Sequence, residues 1–176
     1  MISDQYKASD ATCIQGATYY YSCICGEKGT ETFTLEHEAT SHDYQVRNVW
    51  EGLACTAFYT CSRGDLEEIS VTCNMEVAVS DGIITVTATS NYDGATGTDR
   101  KTITATKENN KVIVDRTDFN HMSMLIAVAG YDTTNQMKSC CMLAPDGSAN
   151  YIGDKVQVFF LGERNKPSLP KIILEN

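Results

Sequence analysis

Ile69-Ser70-Val71-Thr72-Cys73-Asn74-Met75-Glu76-Val77-Ala78-Val79 places its larger apolar side chains at every odd position. A period of two puts one set of side chains on each face of an extended chain, so the run predicts a half-buried β-strand. Its upstream neighbour behaves alike: Cys55, Ala57, Tyr59 and Cys61 share one face of the run 54–61. Between them, Ser62-Arg63-Gly64-Asp65-Leu66-Glu67 supplies turn residues, with Gly64 suited to a positive φ, and a hairpin follows.

The pattern continues outward. Asp81-Gly82 marks a tight turn into Ile83–Thr89, with Ile84, Val86 and Ala88 facing inward. Asn91–Asp99 reads as a polar loop, Arg100–Lys107 as a strand and Asn109-Asn110 as a turn. Val112–Asp115, Met124–Tyr131, Met137–Leu143, Lys155–Leu161 and Lys171–Leu174 complete the series, and Phe119–Val128 is apolar enough to suit strand or helix. Short strands separated by turn residues predict an all-β chain: a small cysteine-rich module followed by immunoglobulin-like β-sandwich modules. The expected division is 1–46, 47–110 and 111–176, with strands on both sides of 110 able to share one sandwich.

The amino-terminal part is different. Cys13 to Tyr44, CIQGATYYYSCICGEKGTETFTLEHEATSHDY, holds three cysteines and two histidines among glycines, threonines and tyrosines, with few aliphatic residues. Such a segment cannot form an ordinary apolar core and needs a covalent or metal staple. Thiolates and imidazole suit tetrahedral zinc, which makes Cys13, Cys23, Cys25 and His42 a candidate structural site, with His37 as substitute ligand. Against it stands Cys23-Ile24-Cys25, shorter than the usual two to four intervening residues. A disulfide from Cys13 to Cys23 or Cys25, or unlinked thiols, are the alternatives. Cys61 and Cys73 could meet across a hairpin centred on Glu67, or pack with Cys55 as buried thiols. Cys140 and Cys141, adjacent on a strand, point to opposite faces.

Charge narrows the partners. With 23 acidic and 14 basic residues the net charge is −9, and no Lys/Arg run offers duplex nucleic acid a basic surface. No window approaches the length of a membrane span. The start, MISDQYKASDAT, lacks a basic stretch followed by an apolar one, so it reads as the beginning of an excised fragment without its own signal peptide.

Three stretches carry a resemblance. ATC (11–13), YYYSCICGEKGTETFT (19–34) and SHDY (41–44) resemble a short module repeated in large surface proteins of Gram-positive gut bacteria. Trp50 followed by CTAFYTCSRGD (55–65), ISVTC (69–73) and DGIITVTAT (81–89) resembles its companion β-module. MLIAVAGYDTTNQM (124–137) with GDKVQVFFLG (153–162) resembles β-domains near the ends of such secreted proteins. The module often spaces its central cysteines C-x-x-C, where this chain has C-x-C. The resemblance implies a cell-wall or extracellular location, a modular parent and a non-enzymatic role: adhesion, spacing or carbohydrate contact.

Candidate contact residues follow. Arg63-Gly64-Asp65 at a hairpin tip would present a guanidinium and a carboxylate as integrin-type receptors read them, although all three are ordinary turn residues. Tyr20 and Trp50 are the aromatic platforms for a host or cell-wall glycan, as expected of an accessory carbohydrate-binding segment of a secreted glycan-degrading enzyme. No phosphate loop, nucleophile elbow or H-E-x-x-H occurs, and His121 stands alone, so no catalytic residue is assigned.

Overall fold

A computed structural model describes residues 3–36, 41–64, 66–120 and 122–175. The protein is all-β, and three-residue 3-10 turns supply the helical residues among those described. Its strands are β1 (Lys7–Ser9), β2 (Thr18–Ser22), β3 (Lys28–Thr34), β4 (Tyr44–Glu51), β5 (Ala54–Cys61), β6 (Ile69–Thr72), β7 (Asn74–Ser80), β8 (Ile83–Tyr92), β9 (Ala95–Glu108), β10 (Lys111–Asp115), β11 (Leu125–Tyr131), β12 (Met137–Met142), β13 (Ser148–Asn150), β14 (Lys155–Leu161) and β15 (Pro167–Leu174). They form sheets ordered β1-β2-β3, β4-β5-β6, β13-β10-β9-β8-β7 and β12-β11-β14-β15.

The chain divides into two compact units that do not follow linear order. One comprises Met1–Arg47, Ala57–Val71 and Asn91–Thr96; the other comprises Asn48–Thr56, Thr72–Ser90 and Gly97–Asn176. Position 110, an expected boundary, lies in the hairpin turn between β9 and β10, where Asn109 takes a φ of +54°.

The second unit is a sandwich. Ile84 and Val86 of β8, Ile103 of β9 and Val112 of β10 lie on one sheet's inner face. Ile126 and Val128 of β11, Val156, Val158 and Phe160 of β14, and Ile172 of β15 pack with them from the other. All are essentially removed from water, so the second unit rests on ordinary aliphatic burial. Gly130 of β11 permits a close crossing, because a Cβ there would collide with the Ile152 carbonyl.

The first unit is built otherwise. Its buried side chains among the described residues are Tyr6, Cys13, Ala17, Tyr19, Ala57, Tyr59 and Cys61, with no valine, leucine or isoleucine. The tyrosines supply area: Tyr44, Tyr59 and Tyr92 form a triangle of rings with centroids 5.5–6.0 Å apart.

Two sequence expectations are corrected. The run 69–79 is two strands: β6 and β7 belong to different sheets, and the chain changes sheet at Cys73. The buried face accordingly ends early, and Val77 and Val79 on the edge strand β7 are 43% and 42% exposed. Asn91–Asp99 is strand instead of loop, interrupted only by Asp93-Gly94, whose φ values of +46° and +80° suit a two-residue hairpin turn. Polarity misled there, because turn residues occupy just two of the nine positions.

Phe160 is 1% exposed. Phe160→Ala should cost about 3–5 kcal/mol in urea unfolding followed by the single tryptophan, Trp50, which lies in the same unit. Ile24→Ala, at a fully solvated side chain, should leave the same transition within about 0.5 kcal/mol.

Candidate metal centre

Three stretches of the first unit converge on one point. Cys13 lies in the connection between β1 and β2, where Thr12 folds the chain: its N–H donates to the Gln15 carbonyl (2.7 Å) and its Oγ1 accepts the Gln15 N–H (3.0 Å). That turn leaves Cys13 buried between the exposed Ile14 and the half-buried Thr12. Cys61 is the last residue of β5 and continues the buried face of Cys55, Ala57 and Tyr59. His42 precedes β4 and is fixed beside the end of β5 through its neighbour: Ser62 donates from N–H to the Asp43 carbonyl (2.9 Å) and from Oγ to the Asp43 carboxylate (2.7 Å).

The result is a compact donor set. Cys13 Sγ and Cys61 Sγ stand 3.2 Å apart, and one ligand atom from each of Cys13, His42 and Cys61 lies within 4.8 Å of the others. His42 Nδ1 is buried without a hydrogen-bond partner. Arg63 closes one side, donating from Nη1 to Cys13 Sγ (3.4 Å) and to the Ser41 carbonyl (2.8 Å). Two sulfurs and an imidazole could hold a thiophilic metal ion.

Electrostatics favours the thiolate at Cys61. The neighbouring His42 imidazole lowers its pKa to about 6, helped by the Arg63 backbone N–H and the Cys13 thiol and opposed by burial. At Cys55, burial dominates and the Cys73 thiol adds to it, pushing the pKa up to about 12. Cys55 therefore stays protonated near neutrality, in contrast to Cys61.

The expected ligand set is changed in membership. Cys13 and His42 come together as expected, but Cys23 and Cys25 are joined to each other in a disulfide at the β2–β3 hairpin tip. Sulfurs bonded to each other are not thiolate donors. His37 lies outside the described residues. Cys61 instead stands beside Cys13 and His42. Its period-two pattern marked it as a core residue, and no local spacing links it to Cys13, 48 positions away. The pairing of Cys61 with Cys73 also fails: the Cys73 N–H donates to the Cys55 carbonyl, which centres that hairpin on Gly64 instead of Glu67. Cys140 and Cys141 do face opposite ways, one exposed and the other donating to the Asn150 carbonyl (3.1 Å).

The remaining candidates are occupied structurally. The Arg63 guanidinium holds Ser41 and Cys13, and Asp65 lies outside the described residues, as does His121. Trp50 donates its indole N–H to Asp99 (2.8 Å) and meets Phe119 edge-on. The Tyr20 ring carries the Lys28 ammonium 3.7 Å from its centroid. No family model, curated protein or solved structure matches the chain.

The Cys61 pKa has a signed consequence. A folded-state pKa below the ordinary thiol value means that this group contributes stability above the unfolded value, about 9, and loses it as pH falls through about 6. Thiolate ultraviolet absorbance of the reduced protein should fall with a midpoint near pH 6, and that step should vanish in Cys61→Ser. Midpoints only above pH 8 would contradict the His42 contact.

Proposed function

We propose that this chain is a non-catalytic extracellular adhesion or spacer segment of a larger bacterial surface protein. The reading is carried by the β2–β3 hairpin tip. Ile24 there is wholly solvated and Tyr21 is 55% exposed, while the loop around them is fixed on several sides. Cys23 and Cys25 are bonded, the Gly26 N–H donates to the Cys23 carbonyl (3.1 Å), and Tyr6 Oη donates to the Gly26 carbonyl (2.9 Å). A pre-ordered apolar tip loses little entropy on docking, and exposed apolar surface gains when a partner covers it.

The partner class is a host or cell-wall protein or glycan. With Trp50 and Tyr20 already engaged by Asp99 and Lys28, the apolar tip favours a protein contact over a sugar platform. The aliphatic sandwich of the second unit suits a spacer segment. The net charge of −9 suits a solvated surface segment and disfavours nucleic acid. Among the described residues, no helix is long and apolar enough to cross a membrane. Zinc is the ion best matched to the Cys13, His42, Cys61 donor set, in a structural role: it adds no redox chemistry and would brace a unit without an aliphatic core.

Beads coated with the protein should adhere to host cells or to cell-wall preparations, and Ile24→Ser should reduce retention at least about tenfold without moving the unfolding transition. Unchanged retention in Ile24→Ser, or antibody labelling of the source cells only after permeabilisation, would overturn the assignment. For the ion, fully reduced protein should take up one zinc per chain by elemental analysis; uptake should be lost in Cys61→Ser and kept in the Cys23→Ser/Cys25→Ser double variant.

A further inference from the structure

We infer that Cys13 and Cys61 form a two-state redox site: the dithiol holds the metal ion, and a hydroperoxide converts the same two sulfurs to a disulfide and releases it. The inference rests on the zinc reading above and adds its regulation.

Geometry carries the argument. Two thiolates bound to one zinc at about 2.3 Å stand roughly 3.7 Å apart in a tetrahedral shell, whereas bonded sulfurs stand about 2.05 Å apart. The observed separation of 3.2 Å lies between the two, so small side-chain movements reach either state. Both states satisfy the same structural need, because each joins the β1–β2 connection to the end of β5. They exclude each other, since a sulfur committed to the disulfide is no longer a thiolate ligand.

The surroundings select this pair. Cys23 and Cys25 are already bonded to each other. Among the described residues no imidazole joins the buried Cys55 and Cys73 in a donor group, whereas a His42 ring nitrogen lies within 4.8 Å of the Cys13 and Cys61 sulfurs. Cys13 and Cys61 are 5% and 6% exposed, which admits a small peroxide but shields them from bulky disulfides. The Arg63 guanidinium spans from Cys13 to Ser41, and Asp43 is held by Ser62.

The step balances. The Cys61 sulfur attacks the peroxide oxygen, the O–O bond breaks, and the thiol becomes a sulfenic acid with release of an alcohol, or of water from hydrogen peroxide. The Cys13 thiol then attacks the Cys61 sulfur, an S–S bond forms, the S–O bond breaks, and water leaves with the Cys13 proton. The two sulfurs together lose two electrons and the peroxide gains them.

The test uses the full chain carrying Cys140→Ser, which removes an exposed thiol that would link chains. Reduced protein is loaded with zinc, or with cobalt for its thiolate charge-transfer absorption, and treated with hydrogen peroxide. Released metal is followed with a chromogenic chelator, and non-reducing digests are mapped by mass spectrometry. Metal release should match the appearance of a peptide linking Cys13 to Cys61, and metal-free protein should close the bond at least about tenfold faster than loaded protein. His42→Ala should weaken metal uptake while leaving the Cys13–Cys61 link able to form. Uptake of zinc followed by peroxide treatment that leaves the ion bound and the two cysteines unlinked would overturn the switch and leave the zinc reading standing. Failure of the reduced chain to take up zinc or cobalt would overturn both.

Discussion

Among its described residues the first unit buries no valine, leucine or isoleucine, and the contact of Cys13 with Cys61 joins two of its separate stretches. Tyr6, Tyr19 and Tyr59 supply buried area to this unit. The sulfurs act where the chain is otherwise loose, between a short irregular connection and the end of a strand. Closing a loop of this length with a covalent or metal link is worth on the order of 4 kcal/mol in chain entropy. Around that point the polar contacts are arranged in support: Asp43 on Ser62, Arg63 on Ser41 and Cys13, Thr12 on Gln15.

The second unit solves the same problem by the ordinary route. Its facing sheets alternate inward valine, isoleucine and phenylalanine with outward polar residues, and Cys55 and Cys73 there behave as small hydrophobes. The eight cysteines therefore divide by environment. Two share a site with an imidazole, two are bonded to each other in an exposed turn, two are buried packing groups, and two sit on opposite faces of β12. Identical side chains acquire different chemistry because burial raises a thiol's pKa and an adjacent imidazole lowers it.

Contact chemistry follows the same division. Arg63, Trp50 and Tyr20 each have a structural partner, so the groups most suggestive of ligand binding by type already hold the fold together. The most exposed large apolar side chain among the described residues is Ile24 at the β2–β3 tip, which projects from a loop whose backbone is held by Tyr6 and by the Cys23–Cys25 bond. A side chain exposed on a loop fixed so firmly differs from the scattered apolar residues usual on protein surfaces.

From the sequence alone, periodicity established the all-β class and the inward faces of β5 and β8, because alternation is a local property of an extended chain. Composition likewise led to the expectation of a covalent or metal staple in the first forty-odd residues, and it marked Cys13 and His42 as ligand candidates. Tertiary structure alone decided which sulfur completes the group. Cys61 comes from a strand 48 positions away, and its side chain reads as core until the Ser62–Asp43 contacts bring that strand end beside His42. The break at Cys73 was hidden for a related reason: a strand that changes sheets keeps its period of two, so only the pairing partners reveal where one sheet ends and the next begins.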